Sequence, residues 1–227
     1  MRVMRRLRLA LLLAGVLVIG GGVVLVLAPR PAQAQGQSTT VLSNQNCDTQ
    51  ETSFGDLAAD ALRDASKAKV ALVAAISFIK AGSLAPGPLS TDRVASMLAN
   101  PGEVWAVSEL SGAKLRDTLE HAVRSAPLPS TSFLQVSGLT FQYDPAAPRG
   151  QRVTSVLVGL DPLLSDATYR VAMPLSLAKG GSGYFTVFTA KDIKQQSQQS
   201  LADTIVQYAQ NKGTVSPSGF GRISVPE

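Results

Sequence analysis

The sequence is poor in the residues on which most enzyme chemistry rests. His121 is its only histidine and Cys47 its only cysteine. One histidine without clustered Asp, Glu or Cys cannot build the usual zinc sites, nor the cradle of a two-metal hydrolase. His121 therefore reads as an ordinary helix residue, and a lone cysteine permits no intrachain disulfide. Neither a G-x-G-x-x-G nor a G-x-x-x-x-G-K-S/T phosphate loop is present. Ser182 sits between glycines like a nucleophile turn, but Tyr184 occupies the last position of G-x-S-x-G. Acid chemistry by a carboxylate pair stays open, because the acids are scattered along the chain.

Basic clusters are missing from the body as well. The net charge of +5 comes from 21 Lys and Arg against 16 Asp and Glu. Arg2, Arg5, Arg6, Arg8 and Arg30 precede the first acid, Asp48, so the remainder is neutral. A neutral body gives no electrostatic footprint for nucleic acid. The basic residues instead belong to a targeting segment. Four arginines form a positive n-region, and Leu9 to Ala28 is uncharged and mostly apolar. Pro29-Arg30-Pro31 breaks the run, and Ala32-Gln33-Ala34 offers small residues for cleavage. Residues 1–34 thus read as a signal peptide or as a retained membrane anchor, since the run is just long enough to span a bilayer. Either way the body is exported, and the membrane is met only through this segment.

Residues 35–50 are rich in Gln, Ser, Thr and Asn and read as a polar tether, with the globular part starting near Glu51. Phe54, Leu57, Ala58, Ala61 and Leu62 then recur at helical spacing, capped by Thr52 or Ser53. Val70 to Ala74 reads as a buried strand, Thr91 opens a short helix, and Glu103 to Leu110 reads as a strand. A second amphipathic helix begins at Ser111-Gly112. Beyond Phe133 short strands dominate, including Thr168 to Met173 and Tyr184 to Phe188. Lys194 to Ser200 reads as a Gln/Ser-rich surface segment, and Leu201 to Asn211 as a last helix. The order implies an α+β fold in one domain.

Three glycines within four positions, in Gly180-Gly181-Ser182-Gly183-Tyr184, are costly unless the backbone needs positive φ or close approach. Such a loop between apolar runs is a candidate binding site, with a bare tight turn as the alternative.

Five pieces in order resemble the C-terminal domain of the 5′-nucleotidase / UDP-sugar hydrolase family. Glu51-Thr52-Ser53-Phe54-Gly55-Asp56-Leu57-Ala58-Ala59-Asp60-Ala61 is similar to its E-x-x-x-G-N-L-x-x-D-A helix. Glu109 to Leu115 with Leu119-Glu120 resembles its L-x-G-x-x-L…L-E helix. Phe133-Leu134-Gln135-Val136-Ser137-Gly138-Leu139 with Tyr143-Asp144 resembles F-x-Q-V-S-G-L…Y-D. The Gly180 loop stands for G-G-D-G-Y/F, and Gly221-Arg222-Ile223 fits the family ending.

The resemblance implies a four-layer α/β/β/α domain that holds a nucleoside between aromatic rings. The chemistry comes from a separate metallophosphoesterase domain carrying two metals, which this histidine count does not allow. No cofactor is implied for this domain itself. Carried over, the pocket residues are Phe133 as first aromatic, Ser176 where the second is expected, Lys80 in place of an arginine, and Gly180, Gly181, Ser182, Gly183 and Tyr184. Ser182 replaces the loop aspartate and Ala75 an asparagine. Phe78 or Phe185 could serve as the second ring.

Three functions are therefore expected. The first is a non-catalytic module binding a nucleoside, a nucleotide or a protein partner. The second is the substrate-binding half of a hydrolase whose metallophosphoesterase is another chain. The third is a structural envelope protein.

Overall fold

The structure, a computed structural model, describes residues 35–226 together with two short strands in the N-terminal segment, β1 (Leu17–Ile19) and β2 (Gly22–Val24), which pair antiparallel. Otherwise the expected targeting segment lies outside the described residues. Among the described residues no helix is long and apolar enough to cross a membrane.

Residues 35–50 are not a tether. Strand β3 (Gln37–Ser38) is the middle strand of a three-stranded sheet, and β4 (Leu42–Ser43) also enters a ladder. Leu42, Asn44 and Cys47 are fully buried. The polar composition misleads because its side chains bond back to the chain. Asn44 Nδ2 donates to the carbonyls of Met97 (3.0 Å) and Ile79 (3.3 Å), and the Ser43 N–H donates to Ser53 Oγ. Burial, with the nearby charge of Asp48, pushes the Cys47 thiol up to about 11, so it is an inert core residue.

Helix α1 (Ser53–Ser66) buries the stripe read from the sequence, and Thr52 Oγ1 accepts the N–H of Gly55 at its start. Strand β5 (Val70–Ala74) is buried throughout, as a central strand covered on both faces should be. The short strands β6 (Ser83–Leu84) and β7 (Gly87–Pro88) pair with β4 and β3. Helix α2 (Thr91–Ala95) then leads through Asn100-Pro101-Gly102 into β8 (Val104–Ser111) and α3 (Gly112–Val123).

The second half supplies β9 (Leu134–Ser137), β10 (Leu139–Tyr143), β11 (Val153–Val158), β12 (Asp161–Pro162) and β13 (Thr168–Pro174). One turn of helix, α4 (Leu175–Ala178), precedes the glycine loop. Strand β14 (Ile193–Ser200), α5 (Leu201–Lys212), β15 (Thr214–Val215) and β16 (Ile223–Ser224) close the chain.

The main sheet has five strands in the order β14-β8-β13-β5-β9, and a second has four in the order β12-β11-β10-β16. Both mix parallel and antiparallel pairs. Helix α1 packs on β9 and β5, α5 against α1, and α3 against β11 of the second sheet. This is the α+β class expected from the sequence.

Two strand assignments change. Lys194 to Ser200 belongs to β14, an edge strand of the main sheet. Its open side faces water, so its residues need not be apolar. Tyr184 to Phe188 is not a strand but part of a 3-10 segment, Gly181–Thr186, and the turn after it. Left-handed residues at Gly180, Ser182 and Gly183 coil the chain there, which lets Tyr184 and Phe188 drop together into the core.

A candidate ligand cleft beside the glycine loop

The glycine loop leaves the main sheet at the end of β13, through α4. Its glycines answer a steric demand. Gly180 has φ 93°, and a Cβ there would stand 2.6 Å from Phe185 Cα. Gly183 has φ 82°, and a Cβ would press on Arg124 Nη2 at 3.1 Å and His121 Nε2 at 3.3 Å. Between them Ser182 adopts the left-handed region at φ 55°, which serine reaches only at a cost.

Tyr184 pins the loop from behind. It is fully buried, its hydroxyl donates to the Ser132 carbonyl at 2.7 Å, and its ring stacks on Phe188 with centroids 5.3 Å apart. His121 also packs against that ring, centroids 4.2 Å apart, with Nε2 3.4 Å from the Ser182 carbonyl. Burial and the neighbouring Arg124 lower the His121 pKa, while the Ser182 carbonyl opposes them. The ring is therefore neutral at neutral pH and serves as a prop for the loop.

In front of the loop lies a cleft of about 330 Å³. Ser176, Leu177, Gly181 and Ser182 form one wall, Ala74, Ile76 and Ser77 a second, and Ala99, Asn100 and Glu103 the third. The chain folds this way because β5 ends in a 3-10 turn at Ala75–Ser77, next to the segment that ends α2's loop. The Ser77 carbonyl accepts the Ala99 N–H at 2.9 Å and ties those two walls together. Glu103 Oε1 accepts the Ser176 N–H at 2.9 Å and ties the third wall to the first. Ser182 Oγ is shielded from solvent and has no partner. No lysine or arginine lines the cleft.

Of the residues proposed from the sequence, Ser176, Gly181 and Ser182 meet here. Gly180 and Gly183 shape the loop without lining the cleft, and Tyr184 faces the core. Phe133 does not line the cleft either. It is 2% exposed, because its backbone continues the pairing of β9 with β5 and its ring joins the core. Lys80 is captured elsewhere. Its Nζ lies 2.5 Å from Asp48 Oδ2, and that hydrogen bond and charge raise its pKa. Of the alternative rings, Phe78 is buried edge-on against Phe54, whereas Phe185 stands 72% exposed beside the loop. Glu103 and Asn100 escaped sequence reading. The only local signal was the Asn100-Pro101-Gly102 stop, which marks a loop but not its neighbours.

A second cavity, about 360 Å³, lies between α1, α5 and the C-terminal segment and is lined by Asp60, Tyr208, Lys212 and Arg222 among others. Its guanidinium is already committed. Arg222 Nη1 and Nη2 each donate to Asp60 at 2.9 Å, Nη1 also reaches the Val136 carbonyl, and Nε lies 3.3 Å from Asp56. Among the described residues no group of three or more His, Cys, Asp or Glu is placed to hold a metal ion.

Behind the motif residues stands a packing reason. Gln135, fully buried, accepts the Thr52 N–H at 2.9 Å and donates to the Gln50 (2.8 Å) and Cys47 (3.1 Å) carbonyls. A Cβ on Gly55 would stand 2.4 Å from Gln135 Oε1, so the glycine makes room for the amide. The pieces that carried the resemblance therefore knit the start of α1 to β9.

Comparison with known proteins agrees with this anatomy. The family model described as 5′-nucleotidase, C-terminal domain, matches residues 32–190. A snake venom 5′-nucleotidase from Naja atra is 32% identical over 131 residues, covering 54% of this chain and 24% of that protein. The 5′-nucleotidase of Diplobatis ommata is 26% identical over 200 residues, covering 80% of this chain and 34% of that one. The chain thus spans about a quarter to a third of the length of these relatives. Among solved structures, the 5′-nucleotidase precursor of Thermus thermophilus superposes with a TM-score of 0.76 at 28% identity, over 85% of this chain and 39% of that one. The NAD nucleotidase of Haemophilus influenzae shares the fold, with a TM-score of 0.71 at 15% identity, over 86% of this chain and 39% of that one. With residues 32–190 matched by the family model and the fold reproduced, the chain belongs to the 5′-nucleotidase C-terminal domain family.

Proposed function

We propose that this chain is an exported, non-catalytic binding module of the 5′-nucleotidase C-terminal type, whose cleft takes an uncharged, nucleoside-like ligand. One observation carries the reading. The cleft joins Ser176, Gly181 and Ser182 to a carboxylate, Glu103, and to no cation. Hydroxyl and amino groups of a nucleoside can donate to Glu103, which is only half-buried at the cleft. A phosphate would bring its charge toward Glu103 instead, a repulsion of about 1 kcal/mol at roughly 6–7 Å in a half-solvated site. Export is supported by the arginine-led apolar segment, and by relatives named for snake venom.

Titration calorimetry with adenosine, AMP and UDP-glucose tests the ligand. Adenosine should bind more tightly than AMP, by roughly fivefold for that repulsion, and Glu103→Gln should narrow the gap. AMP binding more tightly than adenosine would overturn the preference. An absence of heat with all three at millimolar concentration would leave only an interaction role.

A second reading places this chain as the substrate-binding partner of a metallophosphoesterase on another chain. Its support is the pair of exposed apolar side chains near the cleft, Ile76 and Phe185, which a partner could cover. Failure of the two chains to co-purify would remove it.

A further inference from the structure

The most tightly built polar cluster in the molecule lies where the C-terminal segment crosses the start of α1. Glu51 Oε2 accepts the backbone N–H groups of Arg222 (2.8 Å) and Ile223 (2.9 Å). Asp56 Oδ2 accepts the N–H of Gly219 at 3.0 Å. Asp60 grips the Arg222 guanidinium with both oxygens and also accepts the Ser137 hydroxyl at 2.5 Å. These contacts hold residues 219–223 in place and deliver β16 to the edge of the second sheet.

The charges do not balance. Arg222 brings one positive charge to three carboxylates, and Asp60 already takes two of its N–H groups. Asp56 is fully buried and the Glu51 side chain is 3% exposed. Two oxygens are left buried without a donor, Glu51 Oε1 and Asp56 Oδ1. Both face the Arg222 Nε, at 3.8 and 3.3 Å. Two such carboxylates sharing one guanidinium edge cannot both stay ionised cheaply, because like charges at close range disfavour the second ionisation.

We infer that Asp56 and Glu51 share a proton, donated from Asp56 to Glu51, and that this proton clasps the C-terminal segment onto α1. One hydrogen then satisfies both orphaned oxygens. It leaves one guanidinium with two carboxylates and one carboxylic acid, a net charge of −1. Arg63 offsets that remaining charge from beside Ser137, where its Nε donates to Ser137 Oγ at 2.8 Å. The groups facing Asp56 are Glu51 from the lead-in, Arg222 from the C-terminal segment and, beyond the guanidinium, Asp60. Strand β9 presents only the uncharged Gln135 and Ser137, and α5 presents Tyr208 on the side of Asp60. Burial, with Glu51 adding to it against the pull of Arg222, raises the Asp56 pKa to about 8. Loss of the proton to solvent leaves two buried anions at the clasp, so the segment is released as pH rises.

The sign follows from linkage. Between the ordinary carboxylate range and about 8, the closed clasp holds a proton that the open chain does not. The contribution of this proton is complete below about pH 4 and fades steadily up to about 8. From about pH 6 to pH 9 the closed-to-open ratio should fall by about a hundredfold.

Carbon-13 NMR of the side-chain carboxyls in the full chain tests this directly. Asp56 should titrate near 8 while the segment is docked. In parallel, amide exchange at Gly219, Arg222 and Ile223, corrected for intrinsic rates, should lose about a hundredfold in protection between about pH 6 and pH 9. Asp56→Asn puts a permanent donor opposite Glu51 and should abolish that loss. Glu51→Gln should return the Asp56 titration toward the ordinary range. An Asp56 that titrates below about pH 5 in the unmodified protein, or protection that stays flat across the same pH range, overturns the proposal.

Discussion

The clasp at the start of α1 and the cleft beside the glycine loop treat polar groups in opposite ways. At the clasp, Gln135, Thr52, Asp60, Ser137 and Arg222 match donor to acceptor within the chain itself. At the cleft, Ser182 Oγ finds no partner and Glu103 offers an oxygen that the chain uses only once, for Ser176. A protein can leave polar atoms unmatched only where water or a ligand completes them, since a buried unpaired group costs about 1–3 kcal/mol. The clasp is therefore an internal fastening, whereas the half-buried Glu103 carboxylate at the cleft stays within reach of solvent. The Glu51 and Asp56 oxygens look like exceptions at the clasp, and the shared proton removes them.

That contrast can be broken from its strong side first. Arg222→Ala should destabilise the domain by about 3–5 kcal/mol, because the buried Glu51 and the partly buried Asp60 would lose their cation. Urea unfolding measures this, and a loss under about 1 kcal/mol would mean the carboxylates find water instead. Gln135→Leu should cost about 3 kcal/mol in the same assay, by stranding the Thr52 N–H and the Gln50 and Cys47 carbonyls. The pH dependence is next. Because the folded-state pKa of Asp56 is raised, its contribution is complete below the ordinary carboxylate range and fades as pH rises to about 8. The unfolding free energy should fall by about 1 kcal/mol per pH unit across that window, and Asp56→Asn should flatten the slope.

The cleft side should respond weakly. Ser182→Gly should stabilise by about 1 kcal/mol, since glycine adopts the left-handed conformation without strain. Glu103→Gln should change stability by less than about 0.5 kcal/mol while altering the adenosine-to-AMP preference. If Ser182→Gly destabilised instead, the serine hydroxyl would have a partner and the contrast between clasp and cleft would fail. Phe133→Ala is a poor probe of the cleft. Its ring is in the core, and truncation there costs about 3–5 kcal/mol whatever the ligand does.

Much of the fold was legible in the sequence because local physics governed it. The stripe Phe54, Leu57, Ala61 and Leu62, the cap Thr52 and the continuous run Val70 to Ala74 appear as read. The errors fall where local pattern and tertiary role diverge. Asn44 reads as linker, yet its amide bonds carbonyls from two other loops in the interior. Lys194 to Ser200 lies at the surface as read, but its pairing along β8 as an edge strand was missed. Tyr184 to Phe188 has strand composition, yet the glycines before it coil the backbone. At the site, Ser176, Gly181 and Ser182 were legible through the resemblance. Glu103 was not, because nothing in Asn100-Pro101-Gly102-Glu103 marks which distant loop it faces.

The sequence alone determined the main helices, the central strands and the family. These depend on periodicity, caps and composition within a few residues. Only the tertiary structure decided that Phe133 is core, that Lys80 belongs to Asp48, and that Glu103 rather than a cation faces the glycine loop. It alone set Arg222 against Asp56, at opposite ends of the domain's sequence. Burial and the charge of a neighbour are properties of contacts between distant segments, and those contacts give a carboxylate or a serine its chemistry.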